Sequence, residues 1–280
     1  MQNTLVLILF CLLSGKLIAA DPVKYEKADK QVLESVFEAL KTKKDASTAE
    51  LVVATGMQFL NTPYVAHTLE SEKEELIINL RELDCTTFAE NCIAIARTIK
   101  NGQPTFENFT NQLQQLRYRH GKIAEYPSRL HYFSDWIYEN AQNGAIKDVS
   151  KQVCNTPFPL QVDFMSSHPD SYKQLKQNSA WVEEMKTIEA AISQRTMYYI
   201  PVEKVEEVES QLKSGDIIGI TTSVKGLDMT HVGILIKVNG RIHLMHASSK
   251  LMKVVISEEP LSEYLKGGKS NTGIMVARPE

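Results

Sequence analysis

After Tyr198 the sequence changes character, and that change sets the order in which any fold must be assembled. D-I-I-G-I-T-T (216–222), H-V-G-I-L-I-K-V (231–238), R-I-H-L-M-H-A (241–247), M-K-V-V-I-S (252–257) and G-I-M-V-A-R (273–278) are short runs rich in β-branched residues, with turn residues between them. Upstream the apolar residues recur at helical spacing instead. Val32, Val36 and Leu40 form one stripe and Leu51, Ala54, Met57 and Leu60 a second, separated by the polar turn 41–48 and stopped before Pro63. Phe106, Phe109, Leu113 and Leu116 form a third stripe that Gly121 ends. A fourth helix starts at Pro127-Ser128 and carries Leu130, Phe133, Trp136 and Ile137, and a fifth occupies roughly 171–194. Helices first and an antiparallel sheet last is an α+β order. The segment 76–83, L-I-I-N-L-R-E-L, alternates as a strand does and leads into Asp84 and Cys85. A helix from Thr86 to about Ile99 follows, closed by Asn101-Gly102.

The N-terminus reads as a secretory signal. An apolar run from Leu5 to Leu13 is followed by a polar break at 14–16 and by Ala19-Ala20, so residues 1–20 are expected to be cleaved and 21–280 to form one domain, with a helical insertion around 103–194. The run is too short to span a bilayer, which takes roughly 20 apolar residues. The mature chain is thus expected to be exported, periplasmic or secreted, and to have no membrane span. Removing the signal lowers Lys+Arg from 31 to 30 against 34 acidic residues, a net charge of about −4, which recruits neither nucleic acid nor an anionic membrane.

Three cysteines then remain, Cys85, Cys92 and Cys154. Cys85 and Cys92 stand about 10.5 Å apart along a helix, beyond disulfide reach, so a bridge would have to involve Cys154. Cys92 shares a helix face with Ile95, Ala96 and Ile99 and reads as a small core hydrophobe. Cys85 is different. It opens a helix, where unpaired N–H groups and the positive end of the helix dipole favour a thiolate. Asp84 would oppose ionisation, so a proton acceptor has to come from elsewhere in the chain.

The run 231–248 supplies one. Asn239-Gly240 is a two-residue type I′ hairpin signal that pairs Val238 with Arg241, Ile236 with His243, Gly233 with His246 and His231 with Ser248. Strand alternation puts His231 and His246 on one face, diagonally adjacent and beside the bare backbone of Gly233, with His243 on the other. A thiol nucleophile needs a base, and the base needs an orienting partner; Cys85, His231 and His246 fit those roles.

L-D-C-T-T-F (83–88), L-K-S-G-D-I-I (212–218), H-V-G-I (231–234) and H-A-S-S (246–249), in that order, resemble the NlpC/P60 superfamily of papain-like cell-wall cysteine hydrolases. F-L-N-T-P-Y-V-A-H-T-L-E (59–70) and S-R-L-H-Y-F-S-D-W (128–136) extend the resemblance to its DUF1460 branch of N-acetylmuramoyl-L-alanine amidases, over nearly all of the mature chain. The resemblance implies a papain-like core, with the Cys85 helix packed on the C-terminal antiparallel sheet, and additional helices. It implies Cys85 as nucleophile, His231 as general base and acid and His246 as orienter. The spacing from His231 to His246 is longer than in commoner members, where the third residue falls nearer His243. Asn61 and His67 stand where such sequences carry smaller residues.

The implied substrate is a peptidoglycan fragment, cut between muramic acid and L-alanine without cofactor or metal by a monomer. Its carboxylates and sugar call for a tyrosine, an arginine and an apolar wall. Tyr64, in the loop before Cys85, is one candidate contact. Arg117 and Arg119 end a helix, where one can cap it and the other reach a carboxylate. Arg129 and His131, at the start of the next, complete the set. Asp216 reads as a turn residue, and Met245 and Met252 as core. Three rival readings are a D-glutamyl endopeptidase acting on the same stem peptide, a zinc amidase, and a non-catalytic wall-binding module.

Overall fold

The structure is a computed structural model that describes residues 23–280. The expected signal, residues 1–20, lies outside the described residues, among which no helix is long and apolar enough to cross a membrane.

In chain order the chain runs β1 (Val23–Lys24), α1 (Lys27–Leu40), α2 (Thr48–Gln58), β2 (Leu76–Ile77), α3 (Cys85–Lys100), α4 (Phe106–Arg117), α5 (Phe133–Gln142), β3 (Ile146–Asp148), α6 (Ser150–Val153), β4 (Thr156–Phe158), α7 (Phe164–Ser167), α8 (Lys173–Gln177), α9 (Ser179–Ser193), β5 (Met197–Pro201), β6 (Ile217–Thr222), β7 (Met229–Val238), β8 (Arg241–Ser248), β9 (Lys253–Ile256), α10 (Leu261–Lys266) and β10 (Asn271–Pro279). It is an α+β arrangement built on one eight-stranded antiparallel sheet in the order β4-β5-β10-β6-β7-β8-β9, with β3 beside β10. The stretch 103–194 holds six helices, α4 to α9, and also two short strands, β3 and β4, that join this sheet.

One face of the sheet, with Val232, Ile234, Met245 and Ala247, packs on Phe88, Cys92 and Ile95 of α3. The other face, with Ile218, Ile220, Leu235 and Leu244, is covered by Leu261 and Leu265 of α10. The β7–β8 hairpin pairs Val238 with Arg241 and Ile236 with His243, as the Asn239-Gly240 turn dictates. Both turn residues have positive φ, 48° and 87°, the type I′ signature. Asp216 does hold a turn: it accepts the Lys213 N–H at 2.9 Å and is clasped by Arg278 at 2.7 Å.

Several sequence expectations need correction. The segment 76–83 is a strand only at Leu76–Ile77. Beyond it, the side chain of Asn79 accepts the N–H groups of Arg81 and Glu82, and buried Asp29 accepts that of Leu80, which bends the chain out of the ladder. The helix expected from Pro127 is a single 3₁₀ turn, Tyr126–Ser128. Arg129 is then extended and bridges Tyr118, and α5 starts at Phe133. Its N-terminus is capped from far away, by the carboxylate of Asp228 accepting the Ser134 N–H at 2.7 Å. The helix expected over 171–194 is broken at Asn178, whose side chain caps α9 by accepting the Ala180 N–H. Met252 is not core but 58% exposed, in a left-handed turn with φ 55°. All three described cysteines are free.

Candidate active site

Helix α3 begins at Cys85 itself because Asp84 caps it. The carboxylate of Asp84 accepts the Thr87 N–H at 2.7 Å, and the Thr87 hydroxyl accepts the Asp84 N–H at 2.9 Å. The cap fixes Cys85 in the first turn, half-buried, with its sulfur 4.0 Å from the Thr86 hydroxyl and within reach of the Val232 N–H of β7. Burial, seconded by the charge of Asp84, pushes the thiol up to about 11, while the Val232 and Thr86 hydrogen bonds pull it down by less. Burial thus opposes the thiolate that the helix start favours, and at about 11 the thiol form predominates at neutral pH.

His231 enters from β7 where the ladder with β6 slips by one residue, between the pairs Ile220–His231 and Thr221–Met229. Its Nε2 lies 2.6 Å from Nδ1 of His246 on β8, with the two rings nearly perpendicular and their centroids 4.8 Å apart. One proton serves that contact. With the Nε2–H of His231 donating, its Nδ1 keeps a lone pair and can accept a proton. Burial lowers His231 to about 4; His246, buried and next to a second imidazole, falls to about 3. The far side of His246 packs edge-on against Tyr264 of α10, 5.4 Å between centroids. His243, on the opposite face, gives its Nδ1 to the carbonyl of Ser257 at 2.9 Å and makes no contact with His231.

Cys85 and His231 line one cavity of about 170 Å³ together with Thr86, Tyr132, Tyr172 and Asp228. Thr86, His131 and Tyr172 also line a second cavity of about 380 Å³, walled by Glu70, Asp84, Glu90, Arg117, Arg129 and Lys173. The two cavities adjoin across these three residues, with Cys85 and His231 at one end of the cleft so outlined and the charges at the other.

The arginines divide sharply. Arg117 is 2% exposed and fully engaged, donating to Glu90 at 2.8 Å and to the Ile77 carbonyl at 2.6 Å. Arg119 lies outside both cavities, held by Asp135 at 2.6 Å and Glu139 at 3.6 Å. Arg129 reaches the Leu69 carbonyl and Glu70, each at 3.1 Å, and sits 5.1 Å from the Tyr126 ring; its buried Nε has no hydrogen-bond partner. His131 lines both cavities and donates Nε2–H to the Tyr126 carbonyl at 2.9 Å; burial first, then Arg129, lowers it to about 3, so it is neutral. Tyr64 bridges Leu83 through its backbone, and its hydroxyl is raised by burial and by nearby Cys85 and Asp84. It lines neither cavity.

Asp228, Tyr172, Lys173 and Tyr264 belong to this region without having been singled out from the sequence. Only Asp228, in L-D-M-T-H three residues before His231, carried a local signal. Among the described residues no group of three or more His, Cys, Asp or Glu side chains is arranged to hold a metal ion.

The sequence profile of the AmiA-like family, described as N-acetylmuramoyl-L-alanine amidase-like, matches residues 54–274. The chain belongs to this family. A crystal structure of an N-acetylmuramoyl-L-alanine amidase from Bacteroides uniformis is 41% identical with TM-score 0.80, covering 83% of this chain and 99% of that one. A Bacteroides fragilis structure, described provisionally as a xylanase, is 44% identical with TM-score 0.77 over 80% of this chain and 98% of its own. A Legionella pneumophila protein of the DUF1460 family shares the fold at 21% identity and TM-score 0.66, covering 90% of this chain and 95% of that one. A comparison with curated proteins finds no match. The amidase-like match ends at residue 274, so it takes in Cys85, His231 and His246 alike.

Proposed function

We propose that this protein is a peptidoglycan hydrolase of the NlpC/P60 type, cleaving the amide between the lactyl group of N-acetylmuramic acid and the L-alanine of the stem peptide. The observation that carries the reading is the 2.6 Å His231–His246 contact at the wall of the cavity that also receives Cys85, in a chain of the amidase-like family. A cysteine in the first turn of a helix against an antiparallel sheet bearing two paired imidazoles is the arrangement that a papain-like cysteine hydrolase needs.

In the proposed reaction the substrate carbonyl enters beside Cys85, and Nδ1 of His231 takes the thiol proton as sulfur attacks. His246 holds His231 in the productive tautomer and stabilises the imidazolium. The tetrahedral oxyanion lies near the α3 N-terminus, where backbone N–H groups can receive it. Collapse expels the L-alanine amine, which leaves with the proton from His231, and water then releases the muramoyl acyl group from sulfur. The charged cavity suits the stem peptide: Arg129 and exposed Lys173 are its cations nearest to free use, since Arg117 is spent on Glu90. Neutral His131, Tyr126 and Tyr172 give the peptide its walls. Export through residues 1–20 and action as a periplasmic or secreted monomer complete the reading.

Mass spectrometry of muropeptides incubated with the mature chain and with its Cys85→Ala form tests it. Release of an intact stem peptide beginning at L-alanine, by wild type alone, is expected. Cleavage further along the peptide would move the scissile bond to the D-glutamyl link, and loss of activity to a chelator but not to iodoacetamide would replace Cys85 with a metal.

A further inference from the structure

A third cavity, of about 290 Å³, opens on the other side of the 222–228 loop that leads into β7 and His231, and nothing in the mechanism above uses it. Its walls are Phe158 of β4, Tyr199 of β5 and the 222–228 segment that joins β6 to β7; Gln161, Asp163 and Thr272 add an amide, a carboxylate and a hydroxyl. The two rings are half-buried and tilted, 5.2 Å between centroids, so aromatic surface faces the opening.

The loop between the cavities is firmly held. Thr222 donates its N–H to the Asp228 carbonyl at 3.2 Å, Leu227 to Val224 at 3.1 Å, and the Gly226 carbonyl accepts from both Asp163 and Phe164 at 3.1 Å. Gly226 has φ 81°, and a Cβ there would collide with the Asp163 carboxylate, so the close approach of the two segments requires glycine. Leu227 lines both this cavity and the one holding Cys85 and His231. The cavity of Cys85 and His231 therefore has a neighbour on each side: a charged cavity across Thr86, His131 and Tyr172, and an aromatic one across Leu227.

The two ends match the two halves of one molecule. A stem peptide brings carboxylates and an amine. A glycan brings neutral pyranose rings, each with apolar C–H faces that stack on aromatic surface and a rim of hydroxyl and acetamido groups that hydrogen-bond to amides, carboxylates and hydroxyls. At about 290 Å³ the aromatic cavity sits at the small end of ligand sites, the size for one sugar ring. We propose that the cavity formed by Phe158, Tyr199 and the 222–228 loop is a saccharide subsite for the N-acetylhexosamine linked to the muramoyl residue. This rests on the amidase reading and gives the substrate a direction: peptide toward Arg129 and Lys173, sugar chain toward Tyr199.

The test compares kcat/KM on muramoyl-tripeptide and on the same tripeptide carrying the N-acetylglucosaminyl-muramoyl disaccharide, for wild type, Tyr199→Ala and the exposed-loop variant Lys225→Ala. Wild type is expected to favour the disaccharide, and Tyr199→Ala to lower the disaccharide-to-monosaccharide ratio by about fivefold or more, the size of a lost aromatic contact. A ratio unmoved in both variants overturns the subsite while the amidase reading stands. If wild type cleaves neither substrate, the amidase reading fails. The subsite is then judged by titrating N,N′-diacetylchitobiose into isotope-labelled Cys85→Ala protein: amide shifts confined to 158–163, 222–227 and 272 sustain it, and their absence refutes it.

Discussion

A thiol held at about 11 in the same cavity as an imidazole held at about 4 makes a prediction that distinguishes this site from one with a preformed ion pair. With Cys85 at about 11, roughly one molecule in 3,000 carries a thiolate at pH 7.5, against about one in ten for an unperturbed cysteine. Moving the proton from Cys85 to His231 in the empty site is uphill by roughly 9 kcal/mol, less the few kcal/mol that the two new charges return by attraction. Proton transfer should therefore accompany attack on the substrate rather than precede it. The assay is the ultraviolet absorbance of thiolate, recorded as the difference between wild type and Cys85→Ala while the pH is raised from about 5 to 9. No thiolate signal from Cys85 is expected below about pH 9. A full thiolate step already present near pH 6 would refute the reasoning, because it would mean that the α3 N-terminus and His231 outweigh desolvation and Asp84. The same values fix the acid limb of activity. Lowering the pKa of His231 disfavours its cation, so the base form persists to lower pH, and kcat/KM should stay level down to about pH 5 and fall only as pH approaches 4.

Three further perturbations probe the parts separately. His246→Ala should lower kcat by about 10² to 10⁴-fold with little change in KM, since it removes the group that fixes the His231 tautomer; His246→Gln, which can still accept the Nε2–H, should recover part of the loss, whereas equal loss in both variants would argue against an orienting role. Arg117→Met strands Glu90 as a buried carboxylate and should destabilise by roughly 3 to 5 kcal/mol, or about 6 to 20 °C in Tm, while Arg117→Met with Glu90→Leu should restore most of it in thermal unfolding. Gly233→Ala would bring a Cβ to 2.5 Å from Leu244 Cδ1 and 3.1 Å from the Met245 carbonyl, so a loss of roughly 1 to 3 kcal/mol by denaturant unfolding is expected, and an unchanged midpoint would show that the hairpin has room to give.

Local rules made much of the scaffold legible. The Asn239-Gly240 turn determines the β7–β8 register, and the register alone places His231 and His246 on one face and His243 on the other. Asp84 and Thr87, three apart, make the α3 start readable to within one residue. What failed was every boundary decided at long range. The strand at 76–83 is undone by Asp29, more than 50 residues upstream, and α5 begins where Asp228, 94 residues downstream, accepts the Ser134 N–H. Periodicity within a window carries no trace of such partners.

The same limit governs the charged end of the cleft. R-Y-R-H-G presents Arg117 and Arg119 as near equivalents at a helix end, and Arg129 as a third cation a few residues on. Tertiary partners separate them completely. Arg117 faces inward along α4 onto Glu90 of α3, one turn and a half from Cys85, so its work is to brace the helix that carries the thiol. Arg119 turns the other way and shares Asp135 with Arg195, tying the turn after α9 to α5. Of the two arginines on the wall of the charged cavity, Arg129 is the one whose buried Nε has no hydrogen-bond partner, and even there Glu70 and Glu74 lie within 3.5 Å of it. A ligand carboxylate arriving at Arg129 would displace Glu70, whose side chain is 33% exposed, rather than Glu74 at 6%. Glu70→Gln should accordingly tighten binding of a stem peptide and lower its KM, and a raised KM would show that Glu70 itself holds the substrate.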